Sequence, residues 1–151
     1  MSKGNTFETD FLALIFNATP IDPGAGAGLA QDNADPATSL YVSLHTGDPG
    51  EAGDQSTSET AYTGYARVAV ARTAGGWTVS SPAGVGTVNP VANIDFGECS
   101  ALPGVAITHF GVGTGASGAG YLIYSGTVTP NITMAVGVIP RLKTTSTITE
   151  D

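Results

Sequence analysis

The stretch that decides the fold is residues 39–80, SLYVSLHTGDPGEAGDQSTSETAYTGYARVAVARTAGGWTVS. It begins with strict alternation, in which Leu40, Val42 and Leu44 point to one side of a strand and the residues between them to the other. An acidic, glycine-rich loop follows, and strand-like sequence resumes over residues 65–72. A Gly-Gly pair then predicts a hairpin to the next strand, at 77–79. The segment holds no catalytic motif and indicates a β domain.

Composition narrows the classes of function. A chain of 151 residues predicts one domain, which buries roughly 68–70% of its unfolded surface. The formal net charge is -8 and only five residues are Lys or Arg, too few to neutralise the phosphates of a nucleic acid or of an anionic membrane. We therefore expect neither partner. The lone Cys99 rules out an intramolecular disulfide and fits folding in a reducing cytoplasm.

The N-terminal segment contains the one predicted helix, residues 5–17, with Asn5 as its cap and Glu8 completing a capping box. Apolar residues recur along it at helical spacing: Phe7, Phe11, Leu14 and Ile15, with Leu12 and Phe16 widening the stripe. Two interpretations are open: a helix packed over one sheet, or an arm that docks on a neighbouring subunit. Glycine and proline fill residues 18–38. We therefore predict a helix with an arm or loop over 1–38 and a β-sandwich over 39–151, within one compact domain overall.

The remaining sequence is punctuated by turn residues. Strands are predicted over 92–96, 105–112, 121–128, 132–138 and 142–148, and residues 82–90 are predicted as a loop because of their prolines and glycines. With the strands of 39–80 this makes about eight short strands, and no alternation of strand and helix. The predicted class is all-β: an antiparallel, jelly-roll-like sandwich with one short N-terminal helix.

The motifs that could indicate cofactor binding or catalysis lack the neighbouring residues or elements that such sites require. Residues 113–118, GTGASG, match the dinucleotide pattern G-x-G-x-x-G, but a strand follows where that site needs a helix. A hairpin loop explains these glycines. Glu98 adjoins Cys99, but no histidine is linked to the pair by spacing, as a cysteine hydrolase requires. We predict no catalytic residue and no cofactor.

Metal binding is weighed at two places. Asp48, Glu51, Asp54 and Glu59 could supply oxygen ligands to calcium, but their spacing does not match the twelve-residue calcium loop. A solvated acidic loop is favoured, with calcium left open. His45 and His109 lie at strand ends without a Cys, His or paired carboxylate at ligand spacing, so we expect structural histidines and no metal site.

Three motifs carry a resemblance to a known family: LHTGDP at 44–49, YTGYAR at 62–67 and ITHFGVGT at 107–114. With the sequence around them they resemble a family of small virion structural proteins of tailed bacteriophages, often labelled tail-fibre proteins. The likeness covers most of the chain. It implies a non-enzymatic virion component and carries no catalytic residue onto this sequence.

Two virion roles follow from the resemblance. The first is a capsid decoration, or cement, protein on the capsid exterior, favoured because a single small domain lacks the heptads or repeats of a fibre shaft. The alternative is a tail or tail-fibre component. A virion-associated hydrolase is a distant third, because the sequence shows neither convergent acids nor a nucleophile with its base.

The expected partners are the major capsid protein and further copies of the chain, as a homodimer or homotrimer. Phe7 and Phe11 are predicted as apolar anchors of such contacts. Four cations are predicted to set the register of binding: Arg67, Arg72, Arg141 and Lys143. Protection of exposed strand edges is the competing explanation for these cations.

Overall fold

The computed structural model describes residues 4–21, 37–101 and 104–150. These ranges contain one α-helix, α1 (Asn5–Asn17), a 3₁₀ turn (Pro82–Gly84) and nine strands. The strands are β1 (Ser39–His45), β2 (Val68–Ala71), β3 (Trp77–Ser80), β4 (Gly86–Pro90), β5 (Ile94–Asp95), β6 (Ile107–Gly113), β7 (Leu122–Ile132), β8 (Arg141–Leu142) and β9 (Ile148–Glu150). No helix in the described part of the chain is long and apolar enough to cross a membrane.

The strands form three sheets with the orders β2-β1-β6-β7, β3-β4-β9 and β5-β8. The pairs β1–β6, β6–β7, β3–β4, β4–β9 and β5–β8 are all antiparallel. The prediction of a mostly β protein with antiparallel sheets and one N-terminal helix is confirmed. Among the described strands no sheet closes into a barrel, and the jelly-roll-like sandwich stays a prediction.

Contacts divide the chain into two compact units. The first comprises Met1–Thr38, Ala71–Ala92 and Lys143–Asp151, and the second comprises Ser39–Val70 and Asn93–Leu142. The first unit carries α1 and the three-stranded sheet, and the second carries the two-stranded sheet and, apart from Ala71, the four-stranded one. The predicted division at residue 38 stays a prediction, and most of the predicted loop over 18–38 lies outside the described residues.

In the first unit, α1 packs on β3 and β4, as in the interpretation of a helix over one sheet. Its inward residues are Glu8, Leu12 and Phe16, spaced four apart so that they share one face. The Phe16 ring meets Trp77 edge-on, with centroids 4.9 Å apart. A Cβ at Gly86 would lie 2.9 Å from the Leu12 side chain, so glycine lets the helix approach β4.

The bounds of α1 are those predicted, residues 5–17, but the cap at its N-terminus differs from the prediction. The helix begins at Asn5 itself and Gly4 is the N-cap, so the predicted capping box is wrong. The Glu8 side chain is buried under the helix, and only its backbone N–H is used at this end, donating to Gly4 O at 3.1 Å. At the other end Ala18 adopts the left-handed conformation, with φ 52°.

In the second unit, β1 lies between β2 and β6 and is buried on both sides. Its apolar side contains Leu40, Val42 and Leu44, as the alternation predicted. Ser43 and His45, on the other side, are equally buried, because the loop that follows β1 folds back over them: His45 Nδ1 lies 2.8 Å from Thr57 O. The alternating pattern therefore marks a central strand with polar partners on one face.

Several strand predictions need correction. The hairpin predicted across residues 75–76 is wrong, because β3 pairs with β4 and β2 lies beside β1 in another sheet. The predicted loop at 82–90 contains β4, which begins with Gly86 and ends with Pro90, two residue types that favour a loop prediction. Residues 133–138 form no strand, and the strand predicted over 142–148 is divided between β8 and β9.

Candidate functional site

Gln55 joins β1 to the hairpin loop between β6 and β7. Its side chain is fully buried, and its amide nitrogen donates to Tyr41 O at 3.0 Å. Its amide oxygen accepts from Gly115 N–H at 2.8 Å, and its own backbone N–H donates to Gly120 O at 3.2 Å. One side chain thus satisfies polar groups on two distant segments, which fixes the hairpin loop against β1.

Arg67 fixes the same loop from the other side. Its guanidinium holds both oxygens of Glu59 at 2.7 Å, and it also donates to the carbonyls of Gly115 at 2.9 Å and Gly118 at 2.6 Å. The Tyr65 hydroxyl donates to Glu59 at 2.7 Å. Burial and then the hydrogen bond to Glu59 raise the pKa of Tyr65 far above its ordinary value, so this donor stays protonated. We call Gln55, Glu59, Tyr65 and Arg67 the loop clamp.

Two glycines at the ends of the hairpin loop, Gly113 and Gly120, leave room for the Gln55 side chain of the loop clamp. A Cβ at Gly113 would lie 2.3 Å from Gln55 Cδ, and one at Gly120 would lie 2.4 Å from Gln55 Oε1. The segment is the hairpin loop that the sequence predicted, with β7 following it. The close approach of a buried amide explains Gly113 and Gly120, and the positive φ of 69° explains Gly118.

His45 is buried within the same unit. Because a carbonyl oxygen only accepts, the Nδ1 that faces Thr57 O carries the proton, and Nε2 accepts from the Ser43 hydroxyl at 2.8 Å. Burial is the main cause that lowers the pKa of His45 below 6.5. The neutral ring is a structural group with both nitrogens engaged, as expected for a structural histidine.

The acidic residues of the 48–59 loop have separate tasks. Glu59 turns inward to Arg67, while Asp54 accepts hydrogen bonds from the backbone and side chain of Ser56 at 2.8 and 2.6 Å. These bonds, the side-chain one foremost, lower the pKa of Asp54. Asp48 accepts from Gly50 N–H at 2.9 Å. Across the described residues, no three His, Cys, Asp or Glu side chains are gathered as a metal site would need.

Beside the loop clamp runs a cleft of about 550 Å³. One wall is the acidic loop, from Asp48 to Gly53, the other is the chain from Tyr121 to Thr127, and His109 also lines the cleft. The loop clamp sets both walls, because Gln55 lies directly after the acidic loop and binds Gly120, directly before Tyr121. The sequence suggested neither the cleft nor the clamp, since a glutamine in a polar loop carries no signal of burial.

The predicted partner-binding cations are mostly engaged inside their own units. Arg67 belongs to the loop clamp, and Arg72 donates to the carbonyls of Leu14 and Ile15 at the end of α1. Arg141 pairs with Asp95 across β8 and β5, with both side chains about half exposed. That pairing lowers the pKa of Asp95.

The other predicted contact residues are more accessible. Lys143 is exposed. Phe7 is 40% exposed and stacks on Phe11 with ring centroids 6.2 Å apart. Their role as apolar anchors stays a prediction.

Cys99 is not presented to a substrate. Its side chain is fully buried and its thiol donates to Ala101 O at 3.4 Å. The nearby Tyr62 is also inward, with its hydroxyl donating to Gly97 O at 2.8 Å, and burial raises its pKa to about 12. These groups stabilise the loop from residue 97 to 101.

The antiparallel sheets, with polar side chains that hold the loops between them, define a β-rich protein. Comparison with known families identifies its family: the model of the podophage GP4 fiber I protein gp80 family matches residues 26–149, more than half of the chain. The chain belongs to this family, a non-enzymatic family of phage virion fibre proteins. No curated protein matches the sequence. The resemblance noted from the three motifs is confirmed.

Proposed function

We propose that the protein is a structural subunit of a virion fibre attached to the phage tail. The family match over residues 26–149 carries the proposal, since the description of that family names a fibre protein. The match supports the tail or tail-fibre alternative better than the capsid decoration role, which rests on the small size and the acidic charge of the chain. A small domain without heptads is compatible with a fibre when the domain forms one segment of it and not the whole shaft.

The loop clamp supports a structural role. It uses a buried charge pair, a buried amide and a tyrosine to hold one hairpin loop, and such fully hydrogen-bonded networks rigidify the loops that they join. A rigid loop surface suits a protein whose task is to keep a fixed contact with its neighbours. We further propose that copies assemble as a homodimer or homotrimer, because closed symmetric oligomers are the usual solution for repeated subunits.

Sedimentation can separate the two virion roles. Purified protein is added separately to tailless heads and to isolated tails of one phage, and each mixture is pelleted. We expect the protein to sediment with tails and not with heads. Sedimentation with heads alone would reject the fibre role and restore the decoration role, in which the major capsid protein is the partner.

A matched pair of variants tests the predicted anchor on α1. Phe7→Ser removes an exposed ring, while Val91→Ser removes a similarly exposed apolar side chain, 46% against 40% exposed, in the same unit. If Phe7 anchors the tail contact, Phe7→Ser weakens sedimentation with tails and Val91→Ser does not. Equal behaviour of the two variants would exclude Phe7 as an anchor, without bearing on the fibre role itself.

A further inference from the structure

The large apolar side chains that are exposed lie mainly in one stretch of the chain. Among the described residues they are Phe7, Val91, Val105, Tyr121, Val136 and Ile139. Four of these six lie within residues 99–140, and that stretch, more than a quarter of the sequence, contains no Asp, Glu, Lys or Arg. The second unit therefore has a part of its surface that is apolar and uncharged, in a chain whose net charge is -8.

Three of these side chains lie at one end of the four-stranded sheet. Ile107, at the start of β6, pairs with Ile132, at the end of β7. Val105 comes just before this pair of strand ends and Val136 comes just after it, so both lie at the end of the sheet opposite to the hairpin loop. Ile139 follows shortly after Val136. We call Val105, Val136 and Ile139 the apolar patch.

Backbone hydrogen bonds hold the segment that presents two of these residues in one conformation. Val138 N–H closes a turn by donating to Ala135 O at 3.0 Å, and Gly137 has the positive φ, 86°, that a type II turn requires. Cys99 fixes this turn from the neighbouring chain, because its carbonyl accepts from Gly137 N–H and its N–H donates to Val138 O, both at 2.9 Å. Since the turn is already ordered, little conformational entropy is lost when a partner binds it.

The residue at the tip of this turn has no local reason to be apolar. Turns favour Gly, Pro, Asn, Asp or Ser. Val136 nevertheless occupies the tip and is 65% exposed, and Ile139, just after the turn, is 52% exposed. Exposed apolar side chains that are scattered singly are ordinary, but three at one end of a sheet indicate a contact surface.

We propose that the apolar patch packs against the same patch of a second copy of this chain, beside a symmetry axis. The inference rests on the proposed assembly of copies into a homodimer or homotrimer, and it names the surface that this assembly uses. Near a symmetry axis each residue meets its own counterpart, so the contact must be complementary to itself. An uncharged apolar surface meets this condition, whereas a surface that carries acids repels its own copy.

The distribution of charge favours a second copy as the partner. All 13 acidic residues lie outside residues 99–140, so two copies can meet here without bringing acids to the centre of the contact. The charges nearest in sequence border this stretch: Glu98 is exposed, and Arg141 is paired with Asp95. They would form a polar rim around an apolar centre, which is the usual anatomy of an interface. A cationic protein would instead bind the acidic surfaces of this chain.

Cysteine cross-linking tests the contact directly. Val136→Cys places a thiol at the tip of the turn, and Val91→Cys places one at an exposed position of the first unit, outside the patch. The native Cys99 is fully buried, so the unsubstituted protein gives the background. With a short bismaleimide, we expect Val136→Cys to form covalent dimers at least about tenfold faster than Val91→Cys at equal concentration, because association holds the two thiols close together.

A second pair of variants measures the association itself by light scattering. Val136→Asp puts a carboxylate into the patch, and Val91→Asp puts one outside it. For the wild type and Val91→Asp, we expect the average mass to rise toward that of two or three copies as the concentration approaches about 300 µM. Val136→Asp should associate at least about tenfold more weakly, because like charges meet beside the axis. Circular dichroism should show that all variants keep the wild-type fold, since both substituted side chains are exposed.

Three results would overturn the proposal. A wild type that stays monomeric, or equal cross-linking of Val136→Cys and Val91→Cys, would exclude a contact between copies at the patch. Association that Val136→Asp leaves unchanged would place that contact elsewhere. A monomeric wild type that sediments with tails, while Val136→Asp does not, would assign the patch to another virion protein. None of these results bears on the fibre role, which only the sedimentation of wild-type protein with heads and tails decides.

Discussion

The guanidinium of Arg67 meets the carboxylate of Glu59 through two hydrogen bonds of 2.7 Å, and the Arg67 side chain is only 2% exposed. The same guanidinium holds two carbonyls of the hairpin loop, 48 and 51 residues further along the chain. Desolvation offsets much of the attraction in a charge pair this buried, so we expect the pair to contribute more to the specificity of the fold than to its net stability. On this hypothesis the pair selects one placement of the hairpin loop.

Arg67→Met is expected to lower the free energy of unfolding by about 3–5 kcal/mol, because it leaves Glu59 charged, part-buried and without its partner. Arg141→Met is the control: it breaks a similar two-bond pair at a half-exposed site and should cost less than about 1 kcal/mol. Urea unfolding measures both. If the two variants lose similar stability, the Arg67 pair does not act as a buried pair.

Adding Glu59→Leu to Arg67→Met should recover part of the lost stability, because the orphaned carboxylate is removed. The recovery should be incomplete, since Gly115 and Gly118 still lose their donor. A double variant less stable than either single variant would contradict this account of the loop clamp.

Gly113→Ala is expected to destabilise the protein by about 2 kcal/mol or more, because the new Cβ would lie 2.3 Å from both Gln55 Cδ and Tyr121 O. Gly75→Ala is the matched change, since its Cβ would meet only Thr73 Oγ1 at 3.5 Å. We expect Gly75→Ala to stay within about 0.5 kcal/mol of the wild type. Thermal unfolding distinguishes them, and equal midpoints would mean that the loop shifts freely around Gln55.

Arg72→Met is expected to cost about 1.5–3 kcal/mol, because charged hydrogen bonds to the last carbonyls of α1 are lost. In Arg72→Met, amide hydrogen exchange should accelerate more in the last turn of α1, residues 14–17, than in the rest of the first unit. Lys143→Met, an exposed cation in the same unit, is the control. Unchanged exchange in that turn would show that Arg72 does not stabilise the helix end.

Stability should fall as the pH drops below 6.5. Burial lowers the pKa of His45, so near pH 6.5 the unfolded chain takes up a proton that the folded chain resists. The contribution of His45 is therefore complete above pH 6.5 and is lost as the pH falls from 6.5 toward the folded-state pKa. For one group the loss is at most roughly 1.4 kcal/mol per pH unit.

Urea unfolding at pH 7.5 and 5.5 measures this dependence. His45→Gln should be less stable than the wild type at pH 7.5 but should lose the pH dependence, while His109→Gln, which changes a residue lining the cleft, should keep it. A slope that survives in His45→Gln would assign the pH dependence to another group.

Some of this protein was determined by local sequence. Alternation over residues 39–45 identified β1, helical spacing identified α1, and the glycines of 113–120 identified a hairpin loop before β7. Each of these depends on residues close together in the chain, where side-chain periodicity and turn chemistry act directly. The three family motifs likewise identified a phage virion structural protein from contiguous residues.

Tertiary structure alone decided the rest. Whether Glu59 lies in a solvated acidic loop or against Arg67, and whether Arg72 meets a partner or the end of α1, depends on contacts between segments 8 to 58 residues apart. Strand β4 could not be predicted from local sequence, because Gly86 and Pro90 favour a loop. Only pairing with β3 and β9 makes this segment a strand. The burial of Gln55 also depends on tertiary structure. Its polar side chain is buried only because distant segments exclude water from it and supply its hydrogen bonds, through Tyr41 O and Gly115 N–H.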